Sequence, residues 1–86
     1  MLFRSQSATA HYELGRAEFT IGKIDDARSQ LEQAVKLDPE NSSIHYFLGR
    51  IYKRTGQSAA ADKEFKLTEE LVRQHNKHSG GMASRR

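Results

Sequence analysis

The hexapeptide HYELGR at residues 11–16 returns as HYFLGR at residues 45–50, one letter changed, after an interval of 34 residues. Carried along the chain, the same shift lays Gly22 on Gly56, Ala27 on Ala61 and Leu37 on Leu71, and pairs Leu31 with Phe65. The repeated letters are those that set helix packing and chain reversal, while the positions between them vary freely, as in a tandem repeat of one supersecondary unit. Whatever fold the chain adopts must therefore use one packing scheme twice.

Each unit reads as two helices. In the second, Ile44, Leu48, Ile51 and Tyr52 recur at helical spacing and mark the apolar face of a helix from about Ser42 to Thr55. Gly56 ends it, since glycine accepts the positive φ of a helix C-terminus. A further helix, from about Ser58 as a candidate N-cap to Asn76, presents Ala61, Phe65, Thr68, Leu71 and Val72 on one side. In the first unit Gly22 closes a helix of about Ala8 to Ile21. Asp25 and Asp26 suit the first turn of the next, which Pro39 stops near Leu37. The expectation is an all-α chain of four helices in antiparallel pairs. Gly15 and Gly49 fall inside helices, where each costs about 1 kcal/mol relative to Ala. The same cost at the same register implies close helix approach, with Ala27 and Ala61 expected against the bare backbone.

These residues resemble the tetratricopeptide repeat, whose signature runs aromatic, two residues, Leu-Gly, two residues, Tyr, then Ala, three residues, Phe, then Pro, over 34 residues. The first copy supplies His11, Leu14, Gly15, Glu18, Ala27, Leu31 and Pro39; the second supplies His45, Leu48, Gly49, Tyr52, Ala61 and Phe65. His stands twice where the family has Trp, and Glu18, with Phe19 beside it, stands where it has Tyr. The resemblance implies antiparallel helix-turn-helix pairs stacked as a short right-handed α-α superhelix. Residues 8–41 form the first repeat, and 42–76 the second with an extended C-terminal helix.

The family also implies a protein-interaction module rather than an enzyme, with the first helices of successive repeats lining a concave groove. Tyr12 and Arg16, like Tyr46 and Arg50, are spaced i and i+4 and share a helix face. Lys53 and Arg54 extend the second pair, and Phe19 and Phe47 complete an aromatic and basic floor. Tyr offers flat contact area and Arg holds carboxylates bidentately, so the expected partner is a protein or extended peptide with acidic side chains or a free C-terminus. Chaperone-binding members of the family clamp a terminal carboxylate with Lys and Asn; Tyr and Arg here depart from that, and their specificity is not carried over.

The remaining composition sets bounds. Eighty-six residues make one small domain of limited burial. The absence of Cys excludes disulfides and thiolate chemistry. No apolar run approaches a membrane span or signal peptide, so the compartment is unknown, with the cytoplasm the default. The net charge of +3 arises in the tail: residues 73–86 carry four basic residues and no acid, leaving ten basic against eleven acidic elsewhere. Nucleic-acid binding, which needs basic residues clustered on a folded face, is the weaker alternative.

A purely structural role, as C-terminal capping repeats of a longer array, is the other alternative. Lys63, Lys66, Glu69, Glu70 and Arg73 make the last helix polar, as a cap requires, and residues 77–86 read as a disordered basic tail. Residues 1–7 are expected to be disordered or artefactual, LFRS at 2–5 matching the translated end of a common sequencing adaptor. An array cut there would leave an apolar edge near Leu14 and Phe19 open to self-association. His11 and His45 are expected to fill the Trp volume rather than bind a metal, since a tetrahedral site needs more ligands. His75 and His78 are read as solvated residues of a helix C-terminus. No cofactor is implied, and no nucleophile elbow or phosphate loop is present.

Overall fold

The computed structural model describes residues 7–80, with side chains described through Asn76. Expectations for residues 1–6, for 81–86 and for the side chains of 77–80, His78 included, lie outside the described residues. Four helices follow in order: α1 Ala8–Thr20, α2 Ile24–Leu37, α3 Ser42–Arg54 and α4 Ser58–Gly80. Only α4 departs by more than a residue from its expected span, continuing to Gly80 instead of stopping at Asn76.

The helix ends are set by local chemistry. The Ser7 hydroxyl accepts from Ala10 N–H at the start of α1, and the Asn41 side chain accepts from Ser43 N–H at the start of α3. α1 and α3 end in the same motif. Gly22 and Gly56 take φ of 88° and 80°. One residue beyond, Lys23 N–H and Gln57 N–H reach back to the Glu18 and Tyr52 carbonyls at 2.8 Å. Ser58, expected as an N-cap, is instead the first helical residue of α4; the Gln57 carbonyl accepts from Ala61 N–H there.

α1 packs on α2 and α3 on α4, and the two pairs join chiefly through α2 against α3. The core follows that seam: Ala27, Leu31, Ala34, Ile44 and Ile51 are fully buried, with Leu48 and Phe19 close behind. α1 and α3 lie side by side as one layer, so their outward faces form a shared surface. Val72, expected on the packed side of α4, is 42% exposed.

The glycines do mark close approach, and the nearest atoms belong to the bulky residues one turn beyond the alanines. A Cβ on Gly49 would lie 2.5 Å from the Phe65 ring, and one on Gly15 would lie 2.9 Å from Leu31 Cγ. The bulky residue one turn after each alanine covers the glycine. The Ala27 carbonyl also lies 3.3 Å from the Gly15 Cβ position, and Ala27 and Ala61 are both buried.

Candidate functional site

Every groove residue expected from the sequence lies on α1 or α3, and five of them meet around the rings of two others, Phe19 and Phe47. Phe47, on α3, is the hub: Tyr12, Phe19 and Tyr46 stand edge-on to it, with ring centroids 5.8, 6.2 and 5.6 Å away. Tyr46 also reaches the Phe65 ring at 6.0 Å. Phe19, expected at an exposed edge beside Leu14, is only 9% exposed. It turns toward α3, where Phe47 and two guanidiniums cover it, while Leu14 is 47% exposed.

The arginines are exchanged between the helices. Arg16 of α1 lies 5.8 Å from the Phe47 ring centroid, and Arg50 of α3 lies 5.0 Å from that of Phe19. Each also approaches the Tyr one turn back on its own helix, at 5.7 Å for Tyr12 and 5.8 Å for Tyr46. Arg54 adds a third guanidinium, 5.4 Å from Phe19. α1 and α3 touch little otherwise, so this reciprocal cation–π contact and the edge-on rings of Tyr12, Phe19 and Phe47 join them. All three arginines remain exposed to solvent.

Between these residues runs an open cleft of about 580 Å³, lined by Arg16, Phe19, Phe47, Arg50 and Arg54, with Thr20, Ile21 and Gly22 at the α1–α2 turn also along its edge. A second depression, of about 450 Å³, continues past Lys53 to Phe65. Arg16 has an acidic neighbour, Glu13, at 3.3 Å with both side chains exposed. No ion pair engages Arg50, Lys53 or Arg54 among the described residues. The cleft is therefore apolar at its floor, basic along its walls and short of anions.

The opposite side of α1 and α3 carries a different chemistry, part of which the sequence did not announce. His11 Nδ1 meets Gln30 Oε1 at 2.7 Å, and His45 Nδ1 meets Glu64 Oε1 at 2.7 Å, each partner nineteen residues on. His45, 6% exposed, also places Nε2 2.7 Å from the Pro39 carbonyl. Both ring nitrogens are therefore engaged by oxygen atoms inside the fold. The ring thus ties the inter-repeat turn to α4. The two histidines belong to separate helix pairs, and among the described residues no group of three or more metal-ligand side chains converges. The 34-residue equivalence of Gln30 and Glu64 was the available signal, two polar residues at one half-buried register.

Tyr52 and Glu18 occupy equivalent positions and fare differently. Burial pushes the Tyr52 phenol above its ordinary value, Glu32 and Glu64 add to the rise, and Arg28 opposes it. Glu18 has one carboxylate oxygen, Oε1, buried without a hydrogen-bond partner among the described residues.

Comparison with known proteins agrees with this architecture. The family model described as "Tetratricopeptide repeat" matches residues 12–67. Among solved structures, a crystal structure of MamA is similar over 77% of the chain at 30% identity with a TM-score of 0.74. A MamA fragment from Desulfovibrio magneticus RS-1, residue 41 to its end, is similar over 81% at 30% identity with a TM-score of 0.76. The chain spans only 39% and 40% of those two structures. No curated protein matches it.

Proposed function

The chain belongs to the tetratricopeptide repeat family, an all-α scaffold for protein–protein interaction, and on that premise we propose that the α1–α3 face binds an extended, acidic segment of a partner protein. The observation that carries the proposal is the set of guanidiniums over Phe19 and Phe47, of which Arg50 and Arg54 have no ion pair among the described residues. Such a surface supplies apolar contact from its rings and oriented donors from its rims, and stacked arginines lose little side-chain freedom on binding. Nothing in the cleft is arranged for proton transfer or nucleophilic attack: its polar groups are cations, and the Thr20 hydroxyl donates to the Arg16 carbonyl at 2.9 Å.

The competing role, a terminal cap for a longer array, draws support from α4, whose outer positions Lys63, Lys66, Glu69, Glu70 and Arg73 are all exposed. The two roles separate by titration. Acidic and neutral peptides of equal length are measured by calorimetry against the wild type and an Arg16→Ala, Arg50→Ala double variant. Groove binding predicts that the acidic peptide binds tighter and that the double variant removes most of its advantage. Equal affinity for both peptides, unaltered in the variant, would remove the support for the groove.

A further inference from the structure

Resting on that groove, we infer that the cleft between the C-terminal turns of α1 and α3 is a subsite for one doubly charged group, the phosphate of a phosphorylated side chain on the partner. Three guanidiniums, from Arg16, Arg50 and Arg54, approach two mutually edge-on rings, Phe19 and Phe47, whose centroids are 6.2 Å apart. Arg50 lies over both rings, 5.0 and 5.2 Å from their centroids, so the positive charge is concentrated over a patch two rings wide.

The charge inventory favours a dianion over a carboxylate. Arg16 is compensated by Glu13, and no ion pair compensates Arg50 or Arg54 among the described residues, which leaves two positive charges facing one space. A carboxylate brings one negative charge and two oxygens. A phosphate monoester brings about −1.5 to −2 at neutral pH and three acceptor oxygens, enough for two planar guanidiniums to engage it side by side. Two glutamates could match the charge only by bringing two side-chain stems into the same opening.

The open end of the cleft suits an attached peptide. Gly22 holds a positive φ there, and a Cβ on it would meet nothing within 4 Å. The phosphorylated residue can therefore enter from the α1–α2 turn while its flanking chain runs along α1 and α3 toward Tyr12 and Tyr46. A membrane surface or a nucleic-acid strand also presents phosphates, but as diesters with one charge each, and the single two-charge deficit favours the monoester.

The test uses three blocked peptides of one alanine–glycine sequence that differ only at the centre, in phosphoserine, glutamate or serine. Each is titrated into the full chain while the side-chain Nε resonances of Arg16, Arg50 and Arg54 are followed by NMR. The phosphoserine peptide should bind at least about fivefold tighter than the glutamate peptide near pH 7.5. That advantage should largely vanish near pH 5, where the phosphate holds a single charge and glutamate stays ionised. An Arg50→Lys, Arg54→Lys variant, which keeps the charge and loses the planar fork, should lose most of the preference while α1 and α3 stay helical.

Glutamate and phosphoserine binding equally well, both above serine, would overturn the phosphate subsite and leave acidic-peptide binding in place. An octathymidylate binding tighter than the phosphoserine peptide would overturn it in favour of a strand of diesters. No response on α1 or α3 to any anionic peptide would overturn both the subsite and the groove.

Discussion

The first helices of the two repeats differ by one letter over six residues, and that letter separates their roles. At the changed position α3 has Phe47, which turns to α1 and becomes the hub of the aromatic floor. α1 has Glu13, which stays exposed and pairs with Arg16. The flanking letters also diverge: Ile44, Leu48 and Ile51 of α3 are buried against α2, whereas their counterparts Ala10, Leu14 and Ala17 are exposed. Identical sequence thus gives identical helices and glycine registers, but the energetic weight of each position depends on whether a helix lies across from it. Repeat arrays derive their stability from such nearest-neighbour faces.

The widest separation should come from the shared leucine. Leu48→Ala should cost about 2 to 5 kcal/mol, as for a fully packed leucine, and Leu14→Ala less than about 1. Denaturant unfolding of the two variants measures both; similar losses would mean that a partner surface covers Leu14 in solution.

The glycines sharpen the contrast. At Gly15 the neighbour is Leu31, which is fully buried, while at Gly49 it is the half-buried Phe65 ring, which has solvent on one side to yield into. Overpacking of about 1 to 3 kcal/mol, offset by roughly 1 kcal/mol of helix propensity, leaves Gly15→Ala destabilising and Gly49→Ala near neutral. Gly49→Leu exceeds what a ring rotation absorbs and should lose about 1 to 3 kcal/mol. A Gly49→Ala loss larger than that of Gly15→Ala in the same unfolding assay would show that Phe65 is the fixed neighbour.

Next in size is the histidine pair. Glu64→Gln turns the His45 contact into a copy of the one His11 makes, and should cost about 1 to 2 kcal/mol because a carboxylate partner of a buried ring is replaced by an amide. Gln30→Glu at the part-buried His11 should change stability by less than about 0.5 kcal/mol. Equal effects in the two directions would mean that the deeper burial of His45 adds nothing to its contact with Glu64.

The smallest effect concerns Tyr52. Its phenol is raised above about 10, so the folded state favours the protonated form. That contribution is present in full below the unfolded value and is lost as pH climbs from there through the folded one. Tyr52→Phe should therefore flatten part of the decline in stability above about pH 10, read from unfolding curves on both sides of that pH. An unchanged alkaline slope would show that Tyr52 is not the group responsible.

What could be read from the chain was what repeats or obeys a period. The 34-residue echo gave the helix pairs, and Gly22 and Gly56 gave their turns. The i, i+4 spacing put Tyr12 with Arg16 and Tyr46 with Arg50 on one layer. Cross-helix detail was not legible, because it depends on side-chain reach. Ala27 and Ala61 looked like the partners of the glycines since small residues allow close approach, yet Leu31 and Phe65, one turn on, project over them. Phe19 looked like an exposed edge because it stands beside a substituted signature position; its direction across to Phe47 is set by α3, which no local pattern encodes.

The most direct test of the groove is to map where an acidic peptide lands. Backbone amide shifts of the labelled chain are followed as a glutamate-rich peptide is added at fixed ionic strength. Groove binding predicts that the largest shifts fall at residues 12–22 and 46–54, centred on Phe19 and Phe47, with the outer positions of α4 unmoved. Largest shifts on α4, or on α2 alone, would contradict it.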